Sequence, residues 1–378
     1  MAWKLNRLLA VGLMAALSAQ AEDVIKIGHV APVSGGQAHL GKDNELGARM
    51  AIAKLNASGF KINGKAVKFE LVAEDDAADP KQGTAAAQKL IDAKVNGVIG
   101  HLNSGTTIPA SRLYNQAGIP QVSPSATNPE YTRQGFKTAF RLVADDAKLG
   151  GTLGTYAVKK LQGKSIVIVD DRTAYGKGVA EEFRKAVEAA GGKVLKHEFT
   201  TDKATDFTAI LTTLRGVKPD VLFYGGMDTQ AGPLINQARQ LGIKATVMGG
   251  DGICTEKLPE LARGSVTDGS VVCAEAGGAE GEFKTAQEAF RAEFKKANGV
   301  EVQIYAPYVY DAVMVMADAM KRAKSADPKV YLPELAKTAN YKGLTGMLSF
   351  DAKGDLKQPS LSVYTYKGGH RSLSEVVH

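Results

Sequence analysis

Two short hydroxyl-bearing turns hold the residue types best suited to binding chemistry in this sequence. The first, residues 101–107, places Asn103 and Ser104 just after the apolar run Val98-Ile99-Gly100. The second, residues 123–128, places Ser125 and Thr127 just after Ile119 to Val122. Each turn leads from a strand-like run toward helical spacing, the first toward a helix expected near Pro109. A helix N-terminus carries unpaired N–H groups and the positive end of the helix dipole, so hydroxyls gathered there form an anion site. Taken singly, each Ser or Thr is an ordinary N-cap. Two such turns at adjacent strand ends suit a carboxylate. Asp251 offers the opposite sign. It follows the apolar run Ala245 to Gly249 and stands between Gly250 and Gly252, either as a turn acid or as an acceptor for an ammonium. Tyr175, in Thr-Ala-Tyr-Gly-Lys-Gly, is either a surface aromatic or a cover for a ligand.

The sequence templates for catalysis fail. No G-x-G-x-x-G follows the first strand-like run. Gly163-Lys164-Ser165 resembles the end of a P-loop, but Val158 occupies the place of the required upstream glycine. Ser104 sits in His-Leu-Asn-Ser-Gly rather than in a G-x-S-x-G elbow. No H-E-x-x-H occurs, and His101 reads as a satisfied core or turn residue. The acids Glu74, Asp75, Asp76 and Asp79 read as a solvated turn with acids at a helix start. No catalytic residue, metal or cofactor is expected.

The elements that must position these turns alternate. "VIKIGHVAPV", "KAVKFELVAEDDA", "VNGVIGH" and "GIPQVSPSA" are strand-like and are separated by helix-like runs. The same rhythm restarts after about Arg141 with "SIVIVDD", "KVLKHEF", "DVLFYGG" and "ATVMGGDG". This is βαβ patterning, which demands parallel sheets with helices on both faces. Ligands in such folds bind beyond the C-terminal ends of the strands, where all the residues named above fall. The 378 residues are too many for one compact core and suit two domains. The net charge of +7 is dispersed among acidic residues, which excludes the basic stripe of a nucleic-acid binder.

The first residues are a leader. Lys4 and Arg7 precede an apolar run from Leu8 to Leu17 and then Ala19-Gln20-Ala21, the pattern of a cleaved signal peptide. Cleavage after Ala21 makes residues 1–21 a signal peptide and starts the mature, exported chain at Glu22. The two cysteines, Cys254 and Cys273, are then either a disulfide or two buried thiols, and an oxidising compartment favours the disulfide.

The chain resembles the periplasmic leucine/isoleucine/valine-binding proteins, the amino-acid receptors of ABC importers. "DDAADPKQGTAAAQKLI", "VIGHLNSGTTIPAS", "SPSATNPE", "AYGKG", "DVLFYGG" and "GDLK" carry the likeness across nearly the whole mature chain. The resemblance implies an α/β fold of two Rossmann-like lobes joined by three crossings near Val143, Cys273 and Pro359. Lobe one would comprise 22–143 with 274–358, and lobe two 144–273 with 359–378. It implies that Ser104 and Thr127 bind an α-carboxylate through hydroxyl and amide. The Ser125 carbonyl, the Thr127 hydroxyl and Asp251 would bind the ammonium. Tyr175 matches a lid tyrosine. Departures accompany the match: Asp251 stands where Glu is frequent, and Met227, Leu40 and Gln303 stand where aromatics are common. The implied protein is a monomeric, non-enzymatic periplasmic receptor. It would hand a branched-chain or other aliphatic amino acid to membrane permease subunits. Receptors of the same fold for amides, urea or aromatic acids, and ligand-sensing components, are the alternatives. No nucleic-acid partner is implied.

Overall fold

The computed structural model describes residues 23–278 and 280–378, so the expected leader lies outside the described residues. The first sheet comprises β1 (Asp23–Ala31), β2 (Lys61–Ile62), β3 (Lys65–Asp75), β4 (Gly97–Gly100), β5 (Gln121–Ser123) and β6 (Ala139–Arg141). Their order is β2-β3-β1-β4-β5-β6, parallel except for the β2–β3 hairpin. Between them run α1 (Ala38–Ala57), α2 (Pro80–Asp92), α3 (Ser104–Ala117) and the single turn α4 (Glu130–Arg133).

The second sheet takes β7 (Ile166–Asp170), β8 (Val194–Phe199), β9 (Val221–Gly225), β10 (Thr246–Gly249) and β11 (Val271–Glu275), all parallel. Its helices are α5 (Asp146–Lys159), α6 (Ala174–Ala189), α7 (Thr208–Arg215), α8 (Asp228–Gln240) and α9 (Leu258–Leu261). Three further helices follow, α10 (Gly281–Asn298), α11 (Ala306–Ala323) and α12 (Pro328–Ala336), with the short ladder β12 (Tyr341–Lys342) and β13 (Met347–Leu348). Of these, α11 lies against α1, β4 and β5 and so belongs with the first sheet. The chain ends in an antiparallel hairpin, β14 (Leu361–Lys367) and β15 (His370–Val377), that extends the second sheet beside β11.

Local sequence explains these elements. Ile166–Asp170 and Val221–Gly225 are buried along their whole length, as parallel strands covered on both faces require. Asp79 caps α2 by accepting from the Lys81 and Gln82 amides, with Pro80 at the first helical position. Two expectations need correction. The helix after β4 begins at Ser104, not near Pro109, which lies inside it. Asp76 is not a solvated turn acid. It is fully buried and bonded at 3.0 Å to His101, whose other ring nitrogen meets the Tyr114 hydroxyl at 3.1 Å.

The chain passes between the sheets three times, after β6, after β11 and before β14. The passages lie side by side: the Ala144 amide donates to the Ala276 carbonyl at 2.8 Å, and the Ser360 hydroxyl to Gly278 at 2.9 Å. Two α/β lobes joined by three strands of chain are therefore present, as expected. Cys254 and Cys273 form the expected disulfide, nineteen residues apart and fully buried. It ties the segment after Asp251 to β11. Closing a loop of that length contributes about 3 kcal/mol in the chain-entropy model. Replacing both cysteines by alanine is expected to cost about that much in urea unfolding. An unchanged midpoint would show that the bond adds nothing.

Candidate functional site

Both lobes have a strand order that reverses direction, between β1 and β4 in the first and between β7 and β9 in the second. The crevice at such a point, beyond the strand C-termini, is where open α/β sheets bind ligands. The two crevices face each other here. They enclose a small cavity lined by Leu102, Asn103, Ser104 and Ser125 from the first lobe and Tyr175, Met227 and Asp251 from the second. Tyr305, just before α11, completes the lining.

The hydroxyl cluster after β4 divides its labour. The Thr106 hydroxyl donates to the Asn103 carbonyl, and that of Thr107 to the carbonyls of His101 and Asn103. These two shape the turn. Ser104 is left at the cavity, where its oxygen accepts the Asn128 amide at 3.2 Å. Asn103 makes no side-chain cap, so the first amides of the fourteen-residue α3 stay available at the cavity wall. The neighbouring turn is pinned to the first. Ser123 donates to the His101 carbonyl and Ser125 to that of Leu102, each at 3.0 Å.

Arg141, fully buried, holds the second turn from behind. Its Nη1 donates to the carbonyls of Ala126 at 3.1 Å and Asn128 at 2.9 Å, the two that flank Thr127. Its Nε reaches Asp355 at 3.0 Å. Thr127 itself is fully buried and does not line the cavity. Its hydroxyl lies beside Asp146 without a hydrogen bond of good geometry.

Asp251 is the electrostatic centre. It is 1% exposed, and its two oxygens accept from the phenols of Tyr175 at 2.8 Å and Tyr305 at 2.9 Å. The Tyr175 oxygen in turn accepts the Gly252 amide at 2.9 Å. The glycines beside Asp251 are required sterically. A Cβ on Gly250 would come within 2.6 Å of the Tyr175 hydroxyl, and one on Gly252 within 2.9 Å of the Met227 sulfur. Burial raises the Asp251 pKa to about 6, opposed by the two phenol hydrogen bonds. At neutral pH the group is thus a buried anion whose side-chain partners are neutral hydroxyls. The Asp251 and Gly252 amides also help to hold the charge, and no cationic side chain is among its partners within the described residues.

Contacts between the lobes surround the cavity. Besides Tyr305 on Asp251, His39 of α1 meets Asp228 at the start of α8 at 2.8 Å. The Asn128 side chain donates to the Ala174 carbonyl at 2.6 Å. The cavity measures about 10 Å³, room for roughly one water.

Six of the residues singled out in the sequence therefore meet at this cavity: Asn103, Ser104, Ser125, Tyr175, Met227 and Asp251. Leu40 is fully buried in the hydrophobic core and is not among the lining residues. Gln303 turns out to bond Asp43 through its backbone amide, while Tyr305, two residues on, supplies the aromatic. Neither Tyr305 nor Arg141 was picked out in the sequence. A tyrosine opening a helical run at Tyr305-Ala-Pro was the available signal for the first.

Residues 24–370 match the family model described as periplasmic binding protein. The chain belongs to the periplasmic binding protein family. A Leu/Ile/Val-binding protein homolog from Brucella abortus is 36% identical over 93% of this chain and 92% of its own length. A leucine-, isoleucine-, valine-, threonine- and alanine-binding protein from Pseudomonas aeruginosa is 34% identical over 96% of both. Among solved structures, the branched-chain amino acid transporter substrate-binding protein of Streptococcus pneumoniae, in complex with isoleucine, superposes with a TM-score of 0.86. Its identity is 30%, and the match covers 94% of this chain and 99% of that one. Membership in this family agrees with the two-lobed architecture.

Proposed function

We propose that this periplasmic binding protein captures an α-amino acid, foremost leucine, isoleucine or valine, and delivers it to the permease of an ABC importer. One observation carries the reading. A buried carboxylate held by two phenols, Asp251, shares one cavity with the N-terminus of α3 and the hydroxyls of Ser104 and Ser125. Opposite charges on one small ligand match that arrangement. The anion turns would take the carboxylate through Ser104, Ser125 and the first amides of α3, and Asp251 would take the ammonium. The protein would release its ligand unchanged, because the site offers charge complements and no activated nucleophile.

The lobes would divide near Val143, Cys273 and Pro359. They would have to part to admit leucine, since the closed cavity is far smaller than its side chain. Closure would then bring contacts from both lobes onto the ligand, so the closed form would bind it far better than the open one. Cleavage after Ala21 would release the mature chain into the periplasm as a monomer.

Thermal shift against a panel of amino acids tests the reading. Leucine, isoleucine and valine are compared with alanine, threonine, leucinamide and benzoate. A cognate amino acid at one hundred times its dissociation constant should add about 2.7 kcal/mol of stability. Leucinamide, lacking the carboxylate, should add far less. A panel in which amides or aromatic acids raise the melting temperature and no free amino acid does would overturn the ligand class.

A further inference from the structure

Asp43 lies in the second turn of α1 and is 3% exposed, yet among the described residues no cationic side chain is one of its hydrogen-bond partners. Its carboxylate is instead surrounded by four backbone amides at the start of α11. One oxygen accepts from Gln303 at 2.9 Å. The other accepts from Ile304 at 3.3 Å, Tyr305 at 2.8 Å and Ala306 at 2.9 Å. Amides at a helix start are unpaired donors that favour an anion, so Asp43 serves as a cap supplied from a different helix. Gly47, one turn further along the same face of α1, makes the approach close enough. A Cβ there would stand 2.5 Å from the Ala306 carbonyl. Burial raises the pKa of Asp43, against the pull of its four donors.

The capped segment carries Tyr305, whose hydroxyl crosses the cleft to Asp251 at 2.9 Å. Asp251 is fixed from its own side by Tyr175 at 2.8 Å. We propose that Asp43 is a positioning residue for the binding site: by gathering the amides of residues 303–306 it sets the Tyr305 phenol on Asp251 and so favours the closed, ligand-binding arrangement of the lobes. The proposal rests on the reading of Asp251 as part of an amino-acid site. It differs from simple helix capping in one respect. The benefit to binding passes entirely through the Tyr305 hydroxyl. Apparent affinity scales with the populated fraction of the closed form, so a lost cross-cleft bond weakens binding without any change in ligand contacts.

The test is a double-mutant cycle on the full mature protein, with Asp43→Asn, Tyr305→Phe and the double variant titrated with L-leucine by calorimetry. A second readout is the ring Cζ resonance of Tyr305 in the ligand-free protein, labelled at tyrosine Cζ and assigned with Tyr305→Phe. Each single variant should weaken leucine binding by about tenfold, the worth of one hydrogen bond to a charged group. The double variant should lose no more than either single one. The Tyr305 resonance should move in Asp43→Asn. Losses that multiply in the double variant, or an unmoved resonance, would overturn the proposal and leave Asp43 as a structural cap. If wild type binds no leucine or other amino acid, the reading of the site fails, and the resonance alone then decides whether Asp43 positions Tyr305. Should Asp43→Asn fail to fold, Asp43→Glu keeps the charge, displaces it by one methylene and is read in the same way.

Discussion

Replacing Asp251 with alanine is expected to weaken binding of the cognate amino acid by about 3–5 kcal/mol, roughly two to three decades or more in dissociation constant. The size follows from desolvation. A closed cleft strips water from the ligand's ammonium, and the phenols of Tyr175 and Tyr305 are neutral replacements for a countercharge. Removing the carboxylate leaves a buried cation with no opposite charge. Both tyrosines would also lose the acceptor that holds them.

The same residue predicts a pH dependence. Burial in the closed arrangement raises its pKa to about 6, and an ammonium favours the ionised form. Above pH 6 the carboxylate is already charged and affinity should be flat. Below pH 6 a proton must leave on binding, so affinity should fall by up to about tenfold per pH unit. Calorimetry across pH 5 to 8 measures this, and Asp251→Asn should abolish the slope. An alanine variant that binds within threefold of wild type would remove Asp251 from the site.

Replacing Arg141 with methionine is expected to destabilise the protein by about 2–3 kcal/mol, because the fully buried guanidinium is lost from an ion pair whose other member, Asp355, is partly exposed. Asp355 would lose the guanidinium that bonds it, and the Ala126 and Asn128 carbonyls would lose their donors in the interior. Unpaired buried groups retain their desolvation penalty, which is why deletion costs more than the pair itself contributes. The Thr127 turn lies between those carbonyls, so ligand affinity should fall as well. Urea unfolding with parallel titration checks both effects. A loss below about 1 kcal/mol would mean that water replaces the guanidinium without strain.

The likeness to solved amino-acid receptors extends over the general plan of the chain. Leu102, Tyr175, Met227 and Tyr305 supply the bulk at the cavity, and the remaining wall is polar. Alanine and threonine therefore belong in the screen beside the branched-chain acids.

The parts of this protein that depend on local periodicity and strand ends were legible in its residues alone. Continuous apolar runs such as Ile166 to Val169 specify buried parallel strands, because both faces of such a strand are covered. The turns at Ser104 and Ser125, and the glycine-flanked Asp251, were legible because ligand groups in this architecture gather at strand C-termini. Which hydroxyls face the cleft follows from how the elements pack. Thr106 and Thr107 bond backward to the carbonyls of the turn, a choice set by helix geometry rather than by residue type. Packing also buries Asp76 against His101, where an acid-rich turn read as solvated. Tyr305 and its anchor Asp43 are 262 residues apart in the chain, and Arg141 and Asp355 are 214 apart. No local pattern relates such positions. They meet because α11 packs on α1 and because a late loop returns to the edge of the first sheet, and those contacts are fixed by the burial of whole surfaces.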